Sequence, residues 1–179
     1  MDARELTPDE LEAQLARLHE DGYGWVLSCC DWNDADAEDA LQTTYLKVVS
    51  GRARFGGRSA FRTWLFGVIR QTAREQRRRT GSHRDHAERL GREPTEGAVA
   101  RPDEVTEHAE RARTLRRALA ELPERQREVL HLVFYQDLTI REAADVLEVS
   151  LGTARVHYER GKKRIRELLA DMEFGGGAT

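Results

Sequence analysis

The 179-residue sequence predicts an all-α protein: two small helical domains joined by a flexible linker, the C-terminal one containing a helix-turn-helix. Three observations predict this. Apolar residues recur at three- and four-residue spacing almost throughout, and the alternation of a half-buried strand is nearly absent. That periodicity fails from Thr80 to about His108, where Gly81, Gly91, Pro94, Gly97 and Pro102 sit among polar residues. Beyond the gap, two short amphipathic patterns meet at a tight turn before Ser150. The expected boundaries are a first domain at 1–79, a linker at 80–108, a second domain at 109–172 and a disordered tail at 173–179, the glycine-rich end. Each domain is small, so each needs three or four helices to enclose a core.

The first helix opens with Thr7 as N-cap, Pro8 at the first helical position and Glu10 closing a capping box. Leu11, Leu15 and Leu18 form its inner stripe. Gly22 and Gly24 are expected to break it, ahead of a short apolar stretch, Trp25–Cys30. Asp34 or Asp36 can cap the next helix, about Asp36–Ser50, with Ala37, Leu41, Tyr45 and Val48 inward and Glu38, Asp39, Gln42 and Lys47 outward. A glycine-punctuated loop at 51–57 leads into a helix at Phe61–Arg79. Downstream, Leu115, Leu119 and Leu122 resume the pattern, and Pro123 restarts a helix with Val129, Leu130, Val133 and Phe134 inside.

The helix-turn-helix follows. Thr139 and Glu142 form a second capping box, and Ile140, Ala143, Ala144 and Leu147 keep the spacing of one buried face. The small alanines let two helices cross closely. Ser150 caps the next helix, whose inner side carries Ala154, Tyr158, Gly161, Ile165 and Leu169. From Ala154 to Arg166 there are six basic residues and one acidic, Glu159. Arginines on such a helix can neutralise phosphates or grip guanine edges, and the amides near Gly152 and Thr153 can add a phosphate contact. An ordinary solvated amphipathic helix is the competing reading; the tight turn, the two caps and the one-sided charge weigh against it.

Net charge is only −3, but its distribution is uneven. Residues 1–50 hold 3 basic and 12 acidic side chains, whereas residues 51–90 hold 11 basic, all arginine, and 3 acidic. This suggests an acidic protein-facing surface beside a polyanion-facing one; two solvated faces are the alternative. On the helix at 61–79, Phe61, Trp64, Leu65, Val68 and Ile69 share one face, and Arg62, Arg70, Arg74 and Arg77 the opposite arc. A flexible loop with Arg54, Phe55 and Arg58, feeding that helix, suits single-stranded nucleic acid, with Phe55 as the stacking group. Cys29 and Cys30 are adjacent and unpaired, so they read as small buried hydrophobes; together with His19 they make only a weak metal set. No cofactor site, metal site or nucleophile–base pair is apparent, so no enzyme is expected. No secretory signal or apolar run of membrane length appears, so a soluble, cytoplasmic protein without membrane insertion is expected.

Three segments together carry a resemblance: DAEDALQTTYLKVV (36–49), FGGRSAFRTWLFGVIRQTAREQRRR (55–79) and LPERQREVLHLVFYQDLTIREAADVLEVSLGTARVHYERGKKRIREL (122–168). In order and content they resemble the extracytoplasmic-function (ECF) branch of bacterial sigma factors, over well more than half the chain. The resemblance implies an alternative sigma factor that binds core RNA polymerase, through the clamp and the flap of its two large subunits, and directs initiation at specific promoter DNA. By motif position, Glu38, Asp39 and Gln42 would face the polymerase. Arg54, Phe55, Arg58, Ser59, Arg62, Thr63, Arg70 and Arg74 would face the melted minus-ten strand. Thr153, Arg155, Val156, Glu159 and Arg160 would face the minus-thirty-five duplex. An anti-sigma factor is a further partner the family allows, though no residue pattern here identifies one.

Two departures stand out. The family usually has a glutamate and a phenylalanine in the stretch where this chain has Gln42-Thr43-Thr44-Tyr45, which thins the acidic contact at Thr43. Val156 and Glu159 stand where polar or basic groups are more usual; the first can meet a thymine methyl and the second can accept from a cytosine amine. Two other classes remain open at this point. One is a freestanding helix-turn-helix regulator with an N-terminal sensor or dimerisation domain. The other is an interaction module that uses its acidic N-terminus to sequester a basic partner.

Overall fold

A computed structural model describes residues 6–89, 114–115 and 117–175, which are helical with connecting turns and contain no strand. The chain divides into two compact units, Met1–Ala98 and Val99–Thr179.

In the first unit, α1 spans Pro8–Arg17, α2 His19–Cys29, α3 Asp34–Val49 and α4 Phe61–Arg89. The Thr7–Glu10 capping box forms in full. The expected break at Gly22 does not. The chain turns at Leu18 instead, and Gly22 is buried inside α2, where a β-carbon would sit 3.4 Å from Ile69 Cδ1 and 3.7 Å from Leu41 Cδ1. A helix-interior glycine costs about 1 kcal/mol relative to alanine; here it lets α2 lie close against α3 and α4. Trp25 is wholly buried in the core with Val26, Leu65, Phe66 and Ile69, and its indole N–H donates to the Phe66 carbonyl at 3.0 Å. Burying a polar N–H costs little when it is bonded in this way.

The α2–α3 corner is tight. Asp31 and Trp32 both adopt left-handed backbone (φ 52° and 65°), and Asn33, rather than an aspartate, caps α3 by accepting from the Asp36 amide. Lys47, expected to point outward, instead reaches α4, donating to Glu75 at 2.7 Å and to Thr72 at 3.0 Å. The helix expected to stop at Arg79 runs on to Arg89, so the first ten residues of the expected linker are helical. No proline intervenes, and extending an existing helix needs no new nucleus, so Gly81 alone does not stop it. The remainder of the expected linker, 90–108, lies outside the described residues.

In the second unit a helical stretch at 117–120 precedes α5 (Glu124–Phe134), α6 (Ile140–Leu147) and α7 (Leu151–Gly175). The core comprises Leu119, Leu122, Val129, Leu132, Val146 and Leu147, with the alanines of α6 and Ala154 of α7 filling the close crossings. Gly161 is required here: a β-carbon would meet Leu130 Cδ1 at 3.0 Å and Gln126 Cβ at 3.3 Å. Phe134, expected inside, is 58% exposed at the end of α5 and stacks on Tyr158, ring centroids 5.9 Å apart. His131, by contrast, is buried, stacked on Tyr135 and within 3.4 Å of the Gln136 amide. Burial pushes the His131 imidazole down to about 4, so it is neutral at neutral pH. Residues 173–175 of the expected tail are helical, because α7 continues to Gly175; residues 176–179 lie outside the described residues.

Candidate nucleic-acid interface

The geometry of the α6–α7 pair follows from local chemistry. Thr139 accepts from the Glu142 amide at 3.2 Å, and the Glu142 carboxylate accepts from the Thr139 amide at 2.8 Å. Glu148 ends α6 in the left-handed conformation (φ 55°), which makes the turn sharp. Ser150 then starts α7 by accepting from the Thr153 amide at 3.0 Å. That bond engages one of the two amides expected to meet phosphate, and Ser150 and Thr153 also share a hydroxyl–hydroxyl contact at 2.8 Å.

With Ala154 and Gly161 turned into the core, the outer face of α7 is fixed. Thr153, Arg155, Val156, Glu159 and Arg160 are all exposed on it, Val156 at 47%. All five residues expected at a duplex therefore share one accessible surface. Lys163, Arg164 and Arg166 extend its positive charge toward the C-terminus. A helix about 10–12 Å across with a cationic outer face has the dimensions of a major-groove reader.

The first unit treats its arginines differently. Arg62 pairs with Asp21 of α2 at 3.3 Å and lies over the Phe66 ring; Arg77 pairs with Asp31 at 3.3 Å and donates to the Cys29 carbonyl. Thr63 and Arg70 are only 3% and 4% exposed, so the structure corrects the expectation that both present themselves to a strand. The arc opposite the apolar stripe is largely covered by α2, because α4 packs on both α2 and α3. Arg54 and Arg58 are exposed in the loop before α4, with Ser59 half-buried beside them, and Arg74 is half-buried on the helix. Arg52, Arg78 and Arg79, not singled out from the sequence, are exposed as well.

Phe55 is half-buried in a cluster with Phe61 and Trp64, centroids 5.2–5.4 Å apart, which pins the loop to α4. Gly51 and Gly57 take positive φ (71° and 65°), the conformation that lets the loop double back. Beside it is a cleft of about 210 Å³ lined by Val48, Val49, Ala53, Arg54, Phe55 and Trp64 among others.

On α3, Glu38, Asp39 and Gln42 are exposed, as expected. Leu46 and Val49, 65% and 69% exposed, continue the same stripe and were missed. The signal was present: Tyr45, Leu46, Val48 and Val49 are more apolar residues in one turn than a single helix face can bury. Val49 also borders an open apolar groove of about 550 Å³ between α1 and α3, with Leu11, Leu15, His19 and Tyr45. Cys29 and Cys30 are buried; burial, aided by Asp36, pushes the Cys30 thiol up to about 12, which keeps it protonated and unreactive. Among the described residues no cluster of His, Cys, Asp or Glu is placed to hold a metal, and no helix is long and apolar enough to cross a membrane.

Comparison with known proteins gives concordant matches. Residues 23–83 match the family model described as sigma-70 region 2, and residues 112–165 the one described as sigma-70, region 4. The chain is 33% identical over 144 residues to the RNA polymerase sigma factor CarQ of Myxococcus xanthus, covering 79% of each chain. It is 29% identical to the ECF RNA polymerase sigma factor SigC of Mycobacterium tuberculosis, covering 91% of this chain and 83% of that one. Among solved structures it resembles the sigma factor RpoE bound to the anti-sigma factor NepR, from Bartonella quintana. That likeness has TM-score 0.72 and 22% identity, over 90% of this chain and 98% of the other. A second, CnrH bound to the cytosolic domain of CnrY, has TM-score 0.64 and 20% identity, over 92% and 90%.

Proposed function

This chain belongs to the ECF branch of the sigma-70 family of RNA polymerase sigma factors, and from that premise we propose how its surfaces divide the work of initiation. It is an alternative sigma factor that directs transcription, with a region 2 and a region 4. In the proposal, residues 1–79 form the domain that meets core polymerase and the minus-ten element, residues 109–172 the domain that reads the minus-thirty-five duplex, and residues 80–108 connect them.

Glu38, Asp39 and Gln42 of α3 face core polymerase, with Leu46 and Val49 supplying apolar contact that an acidic strip alone would lack. Arg54, Phe55, Arg58 and Ser59 hold the displaced minus-ten strand, with Arg62 and Arg74 behind them, and the cleft beside Phe55 has room for an unstacked base. Thr63 and Arg70 support the loop and helix from within. Thr153, Arg155, Val156, Glu159 and Arg160 face the upstream duplex. The energy for melting comes from capturing unpaired bases; the chain performs no reaction and requires no cofactor. It acts in the cytoplasm, where the polymerase is. An anti-sigma partner is part of the same reading, since the sigma factor RpoE named above is bound to one.

The observation that carries the proposal is the exposure, in one chain, of an acidic and apolar α3 stripe, a cationic loop and a cationic recognition helix. Run-off transcription with purified core polymerase tests it, and initiation from a cognate promoter is expected. Operator binding without recruitment of core would instead support a freestanding regulator.

A further inference from the structure

We propose that Glu159, held by Lys162, is the residue that selects sequence on α7: it admits only a base that presents an exocyclic amine in the major groove, beside the guanine gripped by Arg155. This rests on α7 being the duplex reader. The face of α7 places Arg155, Glu159 and Val156 at about 0°, 40° and 100° around the axis, so the one carboxylate sits between an arginine and an apolar side chain. Its side chain is 68% exposed. A carboxylate there is repelled by phosphates and by every acceptor on the groove floor. The only donors the major groove offers are cytosine N4 and adenine N6; guanine N7 and O6 and thymine O4 all accept. Glu159 therefore works by rejection as much as by attraction, excluding duplexes that present an acceptor at that position.

Arg155, four residues before Glu159, would be its obvious partner, and a closed pair would blunt both. The order arginine then glutamate is the weaker one along a helix. Lys162 removes the competition. Its ammonium lies over the Tyr158 ring, 4.9 Å from the centroid, and 3.9 Å from the Glu159 carboxylate. Arg155 makes no ion pair among the described residues, so its guanidinium is left for a guanine edge. Lys162 is thus a positioning residue, acting through Glu159.

The test selects duplexes from a pool randomised across the upstream element, using the full chain assembled with core polymerase, and sequences what is bound. Wild type is expected to favour cytosine or adenine at one position by at least about fivefold. Glu159→Ala, exposed and helix-compatible, is expected to erase that preference while raising affinity for the excluded duplexes. Glu159→Gln separates the two amines, since glutamine pairs well with adenine and would turn a cytosine preference into an adenine one. Lys162→Met is expected to weaken selection at the Glu159 position and at the adjacent guanine together. Identical selected sequences from wild type and Glu159→Ala would overturn the proposal. If Arg155→Ala still changes the selected sequence, only the role of Glu159 falls; if it changes nothing, the reading of α7 falls with it.

Discussion

The two units carry similar cationic helices and use them in opposite ways. In α4, Arg62 and Arg77 are tied to Asp21 and Asp31 of α2, and Arg70 is buried. In α7, Arg155 and Arg160 are exposed and neither is tied down. The difference is one of packing. α4 packs on α2 and α3, and its Arg62, Arg70, Arg74 and Arg77 are buried or half-buried, whereas α7 packs on α5 and α6 and keeps Thr153, Arg155, Val156, Glu159 and Arg160 exposed. A run of arginines therefore does not by itself mark a nucleic-acid surface; whether acidic side chains of a packed neighbour face the arginines decides if the charge is structural or available. In the first unit the available charge lies in the loop that precedes α4, at Arg52, Arg54 and Arg58, and farther along the helix at Arg78 and Arg79.

Substitutions can break or sharpen that contrast. The largest effect is expected from Trp25→Ala, which opens a cavity where α2 crosses α4 and removes the indole N–H bond to the Phe66 carbonyl. A loss of about 3–5 kcal/mol in the first unit is expected, with the second unit's transition unchanged, by chemical denaturation followed with a probe in each unit. Gly161→Val is the mirror experiment. Overpacking against Leu130 should cost the second unit about 1–3 kcal/mol and weaken duplex binding through the displaced helix. Arg155→Ala, by contrast, should leave stability intact and cut affinity for the minus-thirty-five duplex by about 1–3 kcal/mol. Unchanged affinity in a fluorescence titration would remove it from the interface. Arg62→Ala and Arg77→Ala should each alter stability by less than about 1 kcal/mol, since both pairs are partly exposed, and should impair open-complex formation less than the pair Arg54→Ala and Arg58→Ala.

Acid should separate the units too. His131 is neutral when buried, so between about pH 6.5 and 4 the unfolded second unit binds a proton that the folded one does not, and its stability falls as pH drops. The total is up to about 3 kcal/mol for a shift of this size. In the first unit the Lys47 bond lowers the Glu75 carboxyl below its usual range. That contribution is present above the unfolded value near 4.5 and is lost only as pH falls through the lower, folded one. Thermal melts from pH 7 to 4 should show the second unit weakening first, and His131→Gln should flatten its slope.

How much of this was legible in the sequence depends on the range of the interactions. The helix-turn-helix was, because its capping box and its serine N-cap each join residues three apart and its alanine stripe repeats within eight. The exposure of Thr153, Arg155, Val156, Glu159 and Arg160 followed from that local frame. What depended on distant packing was not legible. Gly22 reads as a breaker until Leu41 and Ile69 are seen against it, and Lys47 reads as solvated until Glu75 lies opposite. Arg70 was placed correctly on the wheel, but a wheel shows direction without showing which helix covers it. Phe134 reads as core because apolar spacing does not reveal where a helix ends relative to its neighbours.

The central claim is that two separate surfaces of one chain engage two parts of one promoter while docked on polymerase, and footprinting the assembled enzyme tests it most directly. Wild type should protect an upstream duplex patch and expose a melted downstream strand to single-strand reagents. Arg155→Ala should lose the upstream patch first, and the Arg54→Ala, Arg58→Ala pair the downstream reactivity. A single footprint, unchanged when core polymerase is left out, would contradict the account.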